Sequence, residues 1–172
     1  MSGIVTVKLL QALGIKVIND LTGVGENLRD HYAPRFSGRI KNSQTINELS
    51  TGINLVGEII KYFAGGKSIL GLSPSMVYGF WHSDPAAKSN DLQFIFTPAS
   101  YKMHIHGMLN EYPGFTVATW QHRTESKGGV RIRTSDPFEK PLIQPNYLDH
   151  ELDRKVEVSS MKLSRPLAES VD

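Results

Sequence analysis

Three runs of strict alternation constrain this chain more than any other feature. In residues 75–81, Met76, Tyr78 and Phe80 interleave with Val77, Gly79 and Trp81. Leu92-Gln93-Phe94-Ile95-Phe96 follows, and residues 115–122 set Val117, Thr119 and Gln121 against Thr116, Ala118 and Trp120. A period of two with aromatic and β-branched residues is the pattern of strands. Turn signals separate the runs: His82-Ser83-Asp84-Pro85 after the first and Pro98 after the second. The spacing predicts an antiparallel sheet.

Helical patterns flank that sheet. Thr45-x-x-Glu48 is a capping-box signature. It opens a predicted helix in which Leu49, Ile53, Val56, Ile60 and Phe63 make one apolar stripe, expected to be buried, with Gly65-Gly66 as the stop. From Asp149 a second helix is expected to place Leu152, Val156, Ser159/Ser160, Leu163 and Leu167 on one face. Upstream, residues 4–13 read as a short helix stopped by Gly14, and Ile15, Val17 and Ile18 as a strand. Tyr32, Phe36 and Ile40 fall in a further strand near an edge, as Pro34 requires. Lys127-Gly128-Gly129 reads as a hairpin turn feeding a strand over 130–134. The fold class is α+β: a mostly antiparallel sheet with helices on one face.

Composition narrows the function classes. The chain has 172 residues, room for one domain or a domain and part of another. Nineteen basic residues against seventeen acidic ones leave a net charge of +2, scattered rather than clustered, so nucleic acid is not an indicated partner. No apolar run is long enough for a membrane span. There is no cysteine, hence no thiolate metal site and no cysteine nucleophile, which fits a reducing, cytoplasmic setting.

The candidate chemistry is sparse. Gly23-Val24-Gly25 is followed by Glu26-Asn27-Leu28-Arg29-Asp30-His31. This is either a capped glycine turn or a polar site on a connecting segment. His104-x-His106 has a spacing that metals use, but no third ligand stands beside it, so exposed loop histidines are the favoured reading and no metal is assigned. His31 and His122 are acid–base candidates by residue type alone. No Gly-x-Ser-x-Gly elbow, phosphate loop or His-Glu-x-x-His is present. The dinucleotide fingerprint needs a third glycine and a following helix, which the 23–25 turn lacks. Residue chemistry alone assembles no complete active site.

The order of segments resembles the glucose–methanol–choline (GMC) flavin oxidoreductases, near the choline dehydrogenase and alcohol dehydrogenase branch. The resemblance runs nearly the whole length. Leu13-Gly14-Ile15-x-Val17 with residues 23–31 is similar to the family's "LGI-V…GVGENLQDH" block. Asp91-Leu92-Gln93-Phe94 is similar to its "PDLQFHF" strand, and Ser126-Lys127-Gly128-Gly129-Val130-Arg131-Ile132 to its "SRGxVxL". Ser135-Asp136-Pro137, Pro141, Ile143 and Pro145-Asn146-Tyr147-Leu148 match the block that ends in PNYL. Ser2-Gly3-Ile4-Val5 resembles the end of its second signature, with Val5 replacing a glycine.

The resemblance implies an FAD-dependent enzyme that oxidises an alcohol at its CH–OH group by giving hydride to the flavin. It also implies a flavin-binding α/β domain and a sheet-based substrate domain. Residues 1–31 would be the trailing edge of the first and 32–172 most of the second, incomplete towards its C-terminus. The expected partners are a small-molecule alcohol and the FAD-binding domain itself. The Gly-x-Gly-x-x-Gly turn and the family's C-terminal catalytic His fall outside these blocks, so no residue is assigned as catalytic and the isolated chain is expected to be inactive and to hold FAD poorly. Asn27, Asp30 and His31 match the family's near-cofactor turn, where a structural role in the joint outranks flavin contact. Met76, Tyr78, Ile95 and Phe96 match positions lining the substrate side, or else plain sheet core. Such a site suits an alcohol without a cationic head group, since a choline-type substrate wants a carboxylate or an aromatic cage. The alternative is a non-enzymatic remnant that binds a small apolar ligand or a partner chain.

Overall fold

The computed structural model describes residues 3–73, 75–103, 105 and 107–169. Its elements are β1 (Ile4–Val5), α1 (Val7–Ala12), β2 (Asn19–Asp20), β3 (Glu26–Leu28), β4 (Arg35–Arg39), α2 (Ile46–Leu49) and α3 (Gly52–Phe63), a 3-10 turn at Ile69–Gly71, then β5 (Val77–Trp81), β6 (Leu92–Thr97), β7 (Gly114–Gln121), β8 (Gly128–Arg131), β9 (Leu142–Gln144) and α4 (Glu151–Glu169). They form two compact units, residues 1–32 with 123–155 and residues 33–122 with 156–172.

In the first unit, β1 and β2 pair in parallel, Ile4 with Asn19 and Val5 with Asp20, with α1 as the crossover. Leu10 is fully buried beneath it. The expected helix over 4–13 therefore begins only at Val7. Ile4 and Val5 are drawn into the strand pair, while Gly14 turns the chain at a φ of +66°. The expected strand at 15–18 is displaced to Asn19–Asp20. Ile18 lies just before it, its N–H donating to the Gly3 carbonyl at 2.8 Å.

The same unit holds a three-stranded antiparallel sheet in the order β3-β8-β9. Gly128 and Gly129 are strand residues, not the hairpin turn expected at 127–129. A Cβ on Gly128 would stand 1.9 Å from the Gln144 carbonyl oxygen, so the pair serves close strand packing instead. The returning strand accordingly ends at Arg131 rather than at Thr134.

The second unit is organised by a four-stranded antiparallel sheet in the order β4-β7-β6-β5. The three alternating runs are β5, β6 and β7. Ile95 pairs with Tyr78 on one side and Ala118 on the other, and Ala118 pairs with Arg35. One face therefore presents Arg35, Tyr78, Ile95, Thr97, Thr116, Ala118 and Trp120; the other presents Phe36, Phe94, Phe96, Phe115, Val117 and Thr119. On the second face Phe96 and Phe115 stack at 6.0 Å, and Val117, Ile40 and Ala168 complete a small core. Burial of a Phe, Val or Ile side chain here contributes roughly 1.5–3 kcal/mol.

Two helical expectations need correction. The capping box forms, with Thr45 N–H donating to Glu48 Oε2 at 3.1 Å, but it opens only α2. Gly52, at a φ of +55°, restarts the chain as α3. The apolar stripe of α3 is not buried: Ile53 is 82% exposed, Ile60 64% and Phe63 83%. Its inward residue is Glu58, 3% exposed, whose carboxylate accepts from the Ile69 N–H at 2.9 Å and from Lys61 Nζ at 2.6 Å. In α4 the buried line is Asp153, Val156, Glu157, Ser160, Ser164 and Ala168, whereas Leu152 and Leu167 are exposed. Hydrogen bonding sets that face: Ser160 Oγ meets Thr119 Oγ1 at 3.0 Å. No helix among the described residues is long and apolar enough to cross a membrane.

Candidate functional site

Two clusters contain the residues singled out by sequence. The first is the 23–31 turn in the first unit. Asn27 adopts a φ of +60° at the irregular middle of β3, an arrangement asparagine tolerates better than most residues. Glu26 takes a guanidinium fork from Arg131, Nε at 3.0 Å and Nη2 at 2.7 Å on the same oxygen. Arg29 donates to the Thr124 carbonyl and pairs with Glu125 at 3.3 Å.

Asp30 accepts from the Tyr147 hydroxyl and, at 2.8 Å, from the His31 N–H. The Tyr147 bond, then that N–H, hold the Asp30 carboxyl below its usual range, and the same contact raises the Tyr147 phenol. Tyr32 packs against the Tyr147 ring at 5.6 Å. Glu26, Arg29 and Asp30 each bond a residue within 123–147, and Asp30 also holds the neighbouring His31 N–H. Asn27, Asp30 and His31 thus lie in a clamp between distant segments of one unit.

The second cluster is a cavity of about 630 Å³ on one face of the four-stranded sheet. Ile95, Thr97, Thr116, Ala118 and Trp120 form its floor and Arg35 stands at its β4 side. Ile46 of α2, Ile69 and Leu72 of the 3-10 segment, and Tyr101 and Leu109 of the following loop make the walls. Its volume is in the range of small-molecule sites, with mostly apolar walls and a few hydroxyls. The Thr116 hydroxyl is already engaged, donating to the Ala99 carbonyl at 2.8 Å and meeting Ser37 Oγ at 3.1 Å.

Of the four expected pocket residues, Ile95 lines this cavity. Tyr78 is its cross-strand neighbour on the same face, and Met76 continues that alternation. Phe96 does not join them. It points to the opposite face and packs on Phe115, as strand alternation requires. Arg35, Thr97 and Trp120 were missed by sequence reasoning, although the alternation of β6 and β7 already places Thr97 and Trp120 on the Ile95 face. His122 closes the same strands at their far end, Nδ1 3.1 Å from Gln93 Oε1 and its ring edge-on to Phe80. His104 and His106 lie outside the described residues. No cluster of three metal-ligating side chains exists among the described residues.

A pyrophosphate is bound where a glycine-rich turn opens a helix. Gly23 and Gly25 lead into strand β3, and the helix that follows β1 starts after Thr6 rather than from glycines. The residues present do not form that cradle.

No family model matches the chain. Among curated proteins it is 29% identical over 169 residues to an alcohol dehydrogenase [acceptor] of Pseudomonas putida, covering 97% of this chain and 30% of that protein. It is 30% identical over 173 residues to an oxygen-dependent choline dehydrogenase of Photobacterium profundum, covering 97% and 29%. A solved structure of the formate oxidase of Aspergillus oryzae, concerned with FAD modification, matches with a TM-score of 0.84 at 20% identity, over 99% of this chain and 34% of that one. A fungal aryl-alcohol oxidase matches with a TM-score of 0.69 at 15% identity, over 98% and 35%. The structural likenesses share the fold. The chain spans about 30% of the length of the curated relatives it matches.

Proposed function

From a chain that matches GMC flavin oxidoreductases along 97% of its length, we propose that these residues serve the oxidation of a small alcohol at its CH–OH group by an FAD-dependent enzyme. Residues 1–31, which share a compact unit with 123–155, belong to the edge of its flavin-binding part, and within 32–172 the substrate-binding role falls to the sheet unit of residues 33–122 with 156–172. The single observation that carries the reading is the cavity on the Ile95 face of the four-stranded sheet, in a stretch aligned with alcohol and choline dehydrogenases.

FAD supplies the hydride acceptor in such enzymes, and the protein supplies position and shape. In this reading Ile95, Ala118 and Trp120 hold the carbon skeleton of the alcohol, with Tyr78 and Met76 extending the same face. Asp30, bonded to the Tyr147 hydroxyl and the His31 N–H, keeps the near-cofactor segment that carries Asn27 and His31 in place, and no side chain here acts as the base. The isolated chain carries no FAD and does not turn over, because the pyrophosphate cradle is not among these residues.

Two measurements on the purified chain test the reading. Trp81 is replaced by Phe, which leaves Trp120 on the cavity floor as the only tryptophan. Titration with benzyl alcohol then changes Trp120 emission saturably. A flat titration defeats the cavity reading. A stoichiometric visible flavin band would defeat the statement that FAD is not held.

A further inference from the structure

The cavity has an electrostatic character that apolar lining alone does not convey. Among its described lining residues Arg35 is charged at neutral pH, and none is Asp or Glu. Arg35 pairs with Ala118 across β4 and β7, on the face of Ala118 and Ile95, and as an edge-strand residue it also borders a second cavity on the opposite face, beside Val117, Thr119 and Glu169.

Its treatment differs from that of three other arginines, Arg29, Arg39 and Arg131, and resembles that of Arg133 and Arg165. Arg131 is neutralised by Glu26, Arg29 is paired with Glu125, and Arg39 lies over the Tyr112 ring at 4.3 Å. Arg35 has no ion pair or ring contact among the described residues. A guanidinium is a fork of fixed N–H donors suited to a planar carboxylate, and its bonds to carboxylate are among the stronger ones available. Trp120 and Ile95 meanwhile offer flat apolar surface of the kind that takes a ring.

We infer that this cavity recognises an alcohol that also bears a carboxylate, with Arg35 as the group that binds the carboxylate and disfavours quaternary ammonium substrates. The inference rests on the cavity being the substrate side, as proposed above. A choline-like cation gains from aromatic faces and acidic neighbours. Here it would meet a lone positive charge and no carboxylate. The Thr97 hydroxyl on the floor is a further polar group within the same cavity.

The test uses the full chain carrying Trp81→Phe and three probes built on one ring: 4-(hydroxymethyl)benzoate, benzyl alcohol and benzyltrimethylammonium. The carboxylate probe is expected to bind about tenfold more tightly than benzyl alcohol, as one charged hydrogen-bonded contact would give. The ammonium probe should not bind measurably. Arg35→Gln should bring the affinity for 4-(hydroxymethyl)benzoate down to that for benzyl alcohol measured on the same variant, while Arg35→Lys keeps part of the difference. Arg35 is exposed, so neither substitution removes buried packing. Equal affinities for carboxylate and alcohol, or a carboxylate preference that survives Arg35→Gln, overturn the inference and leave the cavity reading standing. Failure of all three probes to move Trp120 emission overturns both.

Discussion

Asn47 and Ser100, fifty-three positions apart, are locked together by both ends of one buried amide. The Asn47 Oδ1 accepts from the Ser100 N–H at 2.9 Å, and its Nδ2 donates to the Ser100 carbonyl at 2.8 Å. The same Nδ2 reaches the Asn110 carbonyl at 2.9 Å. One side chain thus fastens α2 to both ends of the loop that walls the cavity. Asn47→Ala leaves the buried Ser100 N–H and the half-buried Asn110 carbonyl without these partners, at roughly 1–3 kcal/mol each before relaxation, while the Ser100 carbonyl keeps the Asn110 N–H at 2.9 Å. Denaturant unfolding should show a loss of about 3 kcal/mol, and benzyl alcohol binding at Trp120 should weaken with it. A variant as stable as the parent would remove Asn47 from this role.

Asp153 and Glu157 sit one turn apart on the buried side of α4, and their pKa values move in opposite directions. Burial alone would raise Asp153, but the N–H groups of Glu125 and Ser126, at 2.9 and 2.7 Å, and the Ser126 hydroxyl outweigh it and lower the value. Burial raises Glu157 despite the Ser160 hydroxyl at 2.9 Å and the Gln121 N–H. A lowered carboxylate stabilises above its unfolded pKa and loses that contribution as pH falls through the folded value. A raised one does the reverse, so charged Glu157 costs stability at neutral pH. Asp153→Asn should therefore destabilise the chain at pH 7, by about 1–3 kcal/mol, and less at pH 3. Glu157→Gln should be neutral near pH 4 and stabilising at pH 7. Paired denaturation midpoints across that range check both signs, and equal signs would refute the contrast.

The Asp30–Tyr147 contact has its own pH window. Asp30 lies below its ordinary 3.8 because of the Tyr147 hydroxyl first and the His31 N–H second, and Tyr147 lies above its ordinary 10.0 because of Asp30. The carboxylate contribution is present above about pH 4 and fades as pH falls through the lowered value. The phenol contribution is present below about pH 10 and fades as pH rises through the raised one. Tyr147→Phe should lower the unfolding midpoint between those limits, by a small amount because the pair is exposed to solvent. The two proteins should converge at either extreme. A difference that persists unchanged to pH 2 would assign the effect to the Tyr32 ring contact instead.

Glycines that look alike in sequence carry different constraints. A Cβ at Gly23 meets nothing within 4 Å, and Gly25 holds a φ of +82°. A Cβ at Gly128 collides with Gln144 and Pro145 backbone at 1.9 to 2.6 Å. Gly23→Ala should leave the thermal midpoint nearly unchanged, whereas Gly128→Ala should separate β8 from β9 at a cost of several kcal/mol, on the order of the largest single-site losses. Thermal unfolding of the two variants, side by side, decides it. A tolerated Gly128→Ala would mean that β9 can move aside.

What was legible in sequence was whatever local periodicity encodes. The alternation in β5, β6 and β7 named both faces of the sheet, and with them the Ile95 side of the cavity. The capping box at Thr45 formed as its chemistry requires. Long-range partners were not legible. Gly128 and Gly129 read as a turn because only the distant Gln144 and Pro145 explain their lack of a Cβ. In α4 the apolar count favoured Leu152 and Leu167, yet hydrogen bonds from Thr119, Glu125 and Ser126 turned Asp153 and Ser160 inward. Arg35 carried no signal, since a cation's role depends on which carboxylates are absent around it.

The stripe of α3 gives the last prediction, because its exposure reverses what an amphipathic helix ordinarily does. Glu58 faces inward, held by Lys61 and the Ile69 N–H, while its carbonyl accepts from the Ser68 hydroxyl at 2.8 Å. Ile53, Val56, Ile60 and Phe63 are left in water, together a contiguous apolar patch of the kind that drives association. Ile60→Lys with Phe63→Lys removes apolar area from the surface without opening a cavity, so stability should shift by no more than about 0.5 kcal/mol per site. Self-association measured by light scattering should fall sharply. Glu58→Ala should do the opposite, loosening the Ile69–Gly71 turn while leaving the patch in place. If the double lysine variant unfolds instead, the stripe is packed after all and the inward role of Glu58 is wrong.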